Sequence, residues 1–290
     1  MLISVVIITH NEEANLSRTL TSVMPLLVNG QGEVVVVDSG SADRTQEIAN
    51  SHGAKVFVEE WKGYAAQKNS AIEKASGDWI LSLDADEEVE PSLAEAISAT
   101  LDSLGRVRRL SQQADAHPFM VQAANAEMGK YLDGNASPSL SGLWVSRKNQ
   151  FLGRWIKHGG FWPDPKLRLF RRGAGKFEDR SVHETVQLNG ETTRIRQGAL
   201  IHHSYPTLSE YIDHMNRYSS LGAEMVVNSG RQNRAFVNIV FRPLLTFLYN
   251  YVFRLGFLDG REGFLLHVYH SIYVSWKYAK AWELRSANRN

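Results

Sequence analysis

The stretch Trp79-Ile80-Leu81-Ser82-Leu83-Asp84-Ala85-Asp86-Glu87 decides the fold, because a short apolar run stops abruptly in carboxylates. A run of this length bounded by Gly77 and acids reads as a strand covered on both faces. Two earlier runs match it. Ile3 to Ile8 is almost continuously β-branched and ends at Thr9-His10-Asn11-Glu12, and Val34 to Val37 stops at Asp38-Ser39. Lys55 to Glu59 supplies another strand. Helical stretches separate them: about Ala14 to Val28, Thr45 to His52, Ala65 to Ala75, and a helix opened by Pro91. Strands alternating with helices predict an α/β chain with a mainly parallel sheet flanked by helices. Ligands of such sheets bind beyond the carboxyl ends of the strands. Here those ends are polar or acidic.

Working outward, about Asp102 to Ser141 loses the pattern and reads as an excursion from the sheet, with a helix from Pro118 to Leu132 inside it. Gly142 to His203 holds short strand-like pieces, and helices follow from Leu208. The expected division is therefore 1–207 as the sheet domain and 208–290 as a helical region. The 290 residues are 43% hydrophobic and 22% charged with a formal net charge of +1, which argues against a general nucleic-acid binder. There is no cysteine, so thiolate metal sites and disulfides are excluded and a reducing compartment fits. The opening MLISVVIITHNEE lacks a basic leader and reads as the first strand. The most apolar region, Phe236 to Phe257, is interrupted by Arg242, Pro243, Asn250 and Arg254, which argues against a spanning helix. A cytoplasmic protein is expected.

Asp84 and Asp86 project to one side if their strand continues, since side chains there repeat with period two. Carboxylates with phosphate oxygens suit a hard divalent cation, Mg²⁺ or Mn²⁺. An isolated Asp-x-Asp is more often a solvated loop before a helix. Its place beside two other polar strand ends favours the metal reading.

The blocks VVIITHNEEANLSRTLTSV, VVVVDSGSADRTQEIA and YAAQKNSAIEKASGDWILSLDADE resemble, in order, the family 2 glycosyltransferases of GT-A fold. RKNQFLGRWIKHGGFWPDPKLRLFRRGAGKFEDRSVHE resembles a bacterial subgroup that includes lipopolysaccharide-core glucosyltransferases. The resemblance implies an inverting transfer of a hexose, glucose first, from a UDP-sugar to a hydroxyl of a lipopolysaccharide-core or other lipid-linked glycan. It implies that Thr9, Asn11 and Glu12 hold the nucleotide and that Asp38 accepts from the base. Lys68 would approach base or phosphates, Asp84 and Ala85 the nucleotide-sugar with Asp84 on the ribose, and Asp86 the metal. His202, more than His203, matches a histidine that completes the metal shell in related enzymes.

An acceptor hydroxyl needs a general base. Asp164, Asp179 and Glu184 are the carboxylates at hand, and the resemblance favours Glu184. Arg147 to Lys176 carries nine Lys or Arg against a single acid, Asp164. Arg168, Arg171 and Trp162 in that stretch are candidates to bind the departing diphosphate or the acceptor. The C-terminal stretches RPLLTFLYNYVFRLGF and GFLLHVYHSIYVSWKYAKAWELR read as amphipathic helices with basic and aromatic edges, suited to an anionic membrane surface. They equally suit a cap or a dimer contact. With a membrane, the expected place of work is the cytoplasmic face of the bacterial inner membrane. Two alternatives stay open: a polyprenyl-phosphate glycosyltransferase of the same fold, and a non-catalytic membrane-associated nucleotide-binding module.

Overall fold

The computed structural model describes residues 2–30, 32–111, 118–133, 139–178, 185–229 and 236–287. The chain forms two compact units. The first is Met1–Arg147, Pro165–Arg180 and Glu184–His202, and the second is Lys148–Asp164, Ser181–His183 and His203–Asn290. The units interleave along the sequence, where a sequence reading places a single cut after residue 207.

The first unit opens β1 (Ile3–Thr9), α1 (Leu16–Val23), a 3-10 turn (Met24–Gly30), β2 (Gly32–Asp38), α2 (Thr45–Ser51), β3 (Lys55–Val58) and α3 (Tyr64–Lys74). It continues with β4 (Trp79–Asp84), β5 (Glu87–Val89), α4 (Pro91–Ser111), α5 (Pro118–Met128) and β6 (Leu140–Val145). After β7 (Arg147–Phe151) and β8 (Arg154–Trp155) come β9 (Lys166–Arg171), β10 (Gly175–Glu178), β11 (Thr185–Leu188), β12 (Glu191–Arg194) and β13 (Leu200–Tyr205). Seven strands make one sheet in the order β12-β6-β9-β4-β1-β2-β3. β1 runs parallel to both β2 and β4, β2 to β3, and β6 to β12, while β9 is antiparallel to β4 and β6. The sheet is α/β and mainly parallel, flanked by helices.

Register explains why the polar ends gather. Thr9 stands opposite Asp38, and Ile8 opposite Asp84, so three strands end level with one another. Their interiors are apolar because both faces are covered: Val5, Ile7, Val34, Val36, Leu81 and Leu83 join one core and Val6, Val35, Val37 and Ile80 the other. β4 does not continue through Asp86. Ala85 and Asp86 form a turn before β5, so the two aspartates are set by that turn and not by strand alternation. The stretch from 102 onward also departs from expectation. α4 runs on to Ser111, and Leu104, Val107, Ala124, Met128 and Leu132 are buried in the main core. Alanine-rich composition hides this packing because apolar residues recur at helical spacing on only one face.

At the opposite edge Glu33 accepts from Ser4 Oγ at 2.6 Å, Lys55 Nζ at 2.6 Å, and both the N–H and hydroxyl of Ser76. Burial would raise this carboxyl, but Lys55, Ser4 and Ser76 outweigh it and hold the group at about 2, against an ordinary 4.5. A depressed carboxyl stabilises the fold above its unfolded value and loses that contribution as pH falls towards the folded one. After screening at exposed Lys55, the contribution is about 2 kcal/mol. Urea unfolding of the native chain and Glu33→Gln should therefore differ at neutral pH and converge near about pH 2. A difference that persists unchanged in acid would contradict this account.

The second unit holds β8, most of β7, the end of β13, α6 (Leu208–Asn228), α7 (Arg242–Phe247) and α8 (Gly260–Ala287). Thr207 caps α6 by accepting from the Glu210 N–H at 3.2 Å. Phe151, Ile156, Tyr211 and Leu266 form its core. Asp259, buried, accepts from the N–H groups of Lys157 and His158 and lies 3.0 Å from His158 Nδ1. Gly159, at φ +65°, lies so close to the His267 ring that a Cβ would stand 2.1 Å from it. No helix among the described residues is long and apolar enough to cross a membrane.

Candidate active site

At the ligand edge the loop after β1 is laced to the loop after β2. The Asn11 N–H donates to Ser41 Oγ (2.8 Å), Ala42 N–H to Asn11 Oδ1 (2.8 Å), Glu12 N–H to Thr45 Oγ1 (2.8 Å) and Glu13 N–H to Asp43 Oδ2 (3.1 Å). Asn11 adopts φ 55°, a left-handed conformation that asparagine tolerates better than most residues. Asp38 is fully buried and accepts from Thr9 Oγ1 (2.8 Å), Ser41 N–H (2.8 Å) and hydroxyl, Gly40 N–H (3.1 Å) and Gln46 Nε2 (2.7 Å). Burial would raise its carboxyl; the Ser41 donors, Thr9 and Gln46 outweigh this and lower it. A carboxylate offers about four lone-pair sites, so these donors fill its capacity. Asp38 shapes its own turn, and a base can reach it only in place of one of them.

Lys68 is buried, not an exposed helical lysine, and its Nζ lies 2.8 Å from Asp84 Oδ1. Arg168 Nη2 donates to Asp84 Oδ2 and, at 2.7 Å, to Glu87 Oε1. Burial would raise the Asp84 carboxyl, but Arg168, Lys68 and His202 hold it well below the usual range. Both oxygens of Asp84 thus face cations of the protein. Arg168 is turned inward on these carboxylates, which leaves it a positioning group more than a diphosphate ligand.

Asp86 meets His202 across the sheet edge. β13 pairs antiparallel with β5, setting His202 opposite Glu87, and His202 Nε2 lies 3.2 Å from Asp86 Oδ2. Burial raises and His202 lowers the Asp86 carboxyl, for a net depression. His203, the next residue on the strand, points to the other face. Glu12 lies within electrostatic reach: burial first, then Asp86, Asp43 and Asp84, raise its carboxyl against the lowering hydrogen bond from Asn15. Ala85 contributes its carbonyl, which accepts from Thr19 Oγ1 at 2.7 Å and pins the turn to α1.

The donor chemistry fits a hard divalent cation. Asp86 and His202 supply one carboxylate oxygen and one imidazole nitrogen side by side, in an acidic surround that already disfavours the charge on Glu12. Among the described residues no group of three or more His, Asp or Glu encloses such an ion. A cation held by this pair would draw its other ligands from diphosphate and water, as Mg²⁺ commonly does.

Other expected residues lie elsewhere. Arg171 pairs with Trp79 at the start of β4, the edge remote from Asp84, stacks 5.2 Å from the Trp79 ring and donates through Nε to the Leu140 carbonyl. It is not at the site, because β9 runs antiparallel and carries its C-terminal end away. Trp162 and Asp164 belong to the second unit, where Trp162 packs edge-on to Trp155 and Asp164 accepts from Asn149 Nδ2 at 3.1 Å. Asp179 and Glu184 lie outside the described residues. Two residues went unnoticed in the sequence. Glu87, fully buried, accepts from Arg147 Nη1 (3.1 Å), Arg168 and the Asp84 N–H (3.1 Å). Only the sheet β5-β13-β7-β8, set beside the β4–β9 pair, shows that Glu87 and Arg147 brace the turn.

Comparison with known proteins gives this site its setting. The family described as "Glycosyl transferase family 2" matches residues 4–173, which span β1 to β9 and every residue of the carboxylate turn. The lipopolysaccharide core biosynthesis glycosyltransferase LpsC of Rhizobium meliloti (strain 1021) is 29% identical over 97% of this chain and 92% of its own. An uncharacterized glycosyltransferase of Rickettsia typhi is 29% identical over 99% of this chain and 89% of its own. Among solved structures, S. aureus TarS 1–349 in complex with UDP aligns over 99% of this chain and 92% of that chain at 14% identity, with a TM-score of 0.45. The strand-end carboxylates, the laced loops and the matched residues lead to one conclusion: the chain belongs to glycosyl transferase family 2, with the GT-A architecture of its sheet.

Proposed function

We propose that this glycosyltransferase moves a hexose, glucose first, from a UDP-sugar to a hydroxyl of a lipopolysaccharide-core or other lipid-linked glycan, with inversion. The observation that carries the reading is the Asp86–His202 pair standing beside the laced nucleotide loop. The lipopolysaccharide setting draws on the near full-length likeness to LpsC. Work at the cytoplasmic face of an inner membrane fits a chain without cysteine.

Asp86 and His202 would hold Mg²⁺ or Mn²⁺, which when bound neutralises charge on the departing diphosphate. Thr9, Asn11 and Glu12 shape the nucleotide loop, and the uracil imide reaches Asp38 in place of the Gln46 amide. Lys68 and Arg168 keep Asp84 ionised and fixed, so that it can accept from the ribose without reorganising. Glu184 takes the proton from the acceptor oxygen as that oxygen bonds to the anomeric carbon and the bond to diphosphate breaks; Asp179 and Asp164 are the other carboxylates in that stretch. UDP leaves with the bonding electrons.

The test is a screen of UDP- and GDP-hexoses for hydrolysis with Mn²⁺, with Mg²⁺ and with chelator, followed by transfer to core oligosaccharide or polyprenyl phosphate. Hydrolysis of a UDP-hexose that stops with chelator, and transfer to the oligosaccharide, are expected. No turnover of any donor under any condition would sink the proposal. Transfer to polyprenyl phosphate alone would replace the acceptor.

A further inference from the structure

Residues 236–258 of the second unit are apolar on two sides, where the usual amphipathic helix turns its single apolar stripe to the core. Across α7 and the π-helical turns on either side of it (Val237–Phe241 and Leu248–Phe253), one apolar stripe faces out. Val240, Phe241, Leu244, Leu245, Leu248 and Phe253 recur at helical spacing and are all exposed, Leu245 at 63% and Phe253 at 77%. Pro243 is buried, and Ile239, Phe247 and Tyr251 are half-buried together with polar Asn238, Thr246 and Asn250. The following 3-10 turn (Gly256–Asp259) adds exposed Phe257 and Leu258. Beside it opens a trough of about 600 Å³ walled by Tyr251, Phe257, Phe264 and Leu265, with exposed Arg261 on its lining. An apolar patch of this extent marks an interaction surface on a folded chain.

The charge pattern selects the occupant. Between Phe236 and Leu258 there is no aspartate or glutamate, while Arg242 and Arg254 are both exposed. Two copies mated through this face would oppose arginines with no acid in the segment to neutralise them. An anionic bilayer meets both demands, since headgroup phosphates answer the arginines and acyl chains accept the stripe. The segment would lie in the plane of the interface: Phe236 to Phe253 extends only about 27 Å along its axis, and no helix among the described residues can span.

We infer that residues 236–258 are a membrane-docking face that seats the second unit in the headgroup region of an anionic bilayer. The inference rests on the proposed lipid-linked acceptor and assigns its membrane contact to named residues. The apolar trough supplies room for part of one acyl chain beneath an anionic headgroup at Arg261.

The full chain is to be co-sedimented with vesicles of phosphatidylethanolamine and phosphatidylglycerol, or of phosphatidylcholine alone, at low and high salt. Binding to the anionic vesicles is expected. It should fall about a hundredfold in Leu245→Asp with Phe253→Asp. A drop of about tenfold is expected in Arg242→Gln with Arg254→Gln or at high salt. These side chains are exposed, so melting temperature and hydrolysis of the UDP-hexose in detergent should not change. Vesicle binding equal in all variants would overturn the inference. So would a wild-type chain that ignores vesicles, whether monomeric or a dimer that the aspartates dissociate. Vesicle binding without turnover of any donor would instead refute the proposed function and leave the docking face standing.

Discussion

Asp86→Ala is expected to lower sugar transfer by about a hundred- to a thousandfold, the loss typical when a group that stabilises transition-state charge is removed. The fold should barely notice. Asp86 stands in a turn and pairs with His202, and the turn itself is held by the Ala85 carbonyl and by Glu87. Its carboxyl is already depressed, so the charged, ligating form prevails at neutral pH. His202→Gln keeps a polar side chain opposite Asp86 and should cost less, about tenfold, showing mainly as a higher Mn²⁺ requirement. Initial rates against Mn²⁺ concentration for the three chains separate the effects. Transfer by Asp86→Ala within about twofold of wild type would remove the basis of the proposed metal chemistry.

Glu87→Ala is expected to cost about 3–5 kcal/mol of stability, because it strips a counter-charge from buried Arg168 and enclosed Arg147. For a unit of this size that lowers the melting temperature by about 10 °C. The partner network predicts the same direction for Arg168→Met, though less steeply, since Lys68 still faces Asp84. The Arg168→Met chain should also bind nucleotide more weakly as Asp84 loses one of the cations that hold it ionised. Thermal unfolding followed by circular dichroism decides the matter. Melting of Glu87→Ala within about 2 °C of wild type would mean the arginines are satisfied without it.

The strands of the parallel core were legible because each is a short apolar run stopped by a polar residue, and their register then follows from parallel pairing. The carboxylates at Asp38, Asp84 and Asp86 were legible for the same reason: they interrupt strands. What lay hidden depends on direction and pairing, which spacing alone does not carry. Arg168 and Arg171 sit in one basic strand, yet only its antiparallel course sends one to Asp84 and the other to Trp79. Glu87 looks like one more solvated acid until β5 is seen to pair with β13 and to face two arginines. Asp38 offered an open acceptor on paper, but serine, threonine and glutamine within reach use it up. Within 102–141 the described residues Leu104, Val107, Ala124 and Met128 pack into the main core, although alanine and serine dilute the helical apolar pattern that carries them.

The pairing of β13 with β5 also has a consequence for when the enzyme becomes competent. Asp84, Lys68 and the loop after β1 all lie well before His202 in the chain, and β4, β1 and β2 are neighbours in the sheet. His202 arrives only after nearly the whole first unit has been made, and it reaches Asp86 through the antiparallel addition of a late strand. Contacts between such distant parts of a chain form late, because long loops must close first. A chain stalled before β13 would therefore carry the strand-end carboxylates without their histidine. In that sense β13 closes the Asp86–His202 pair last of the parts of the site.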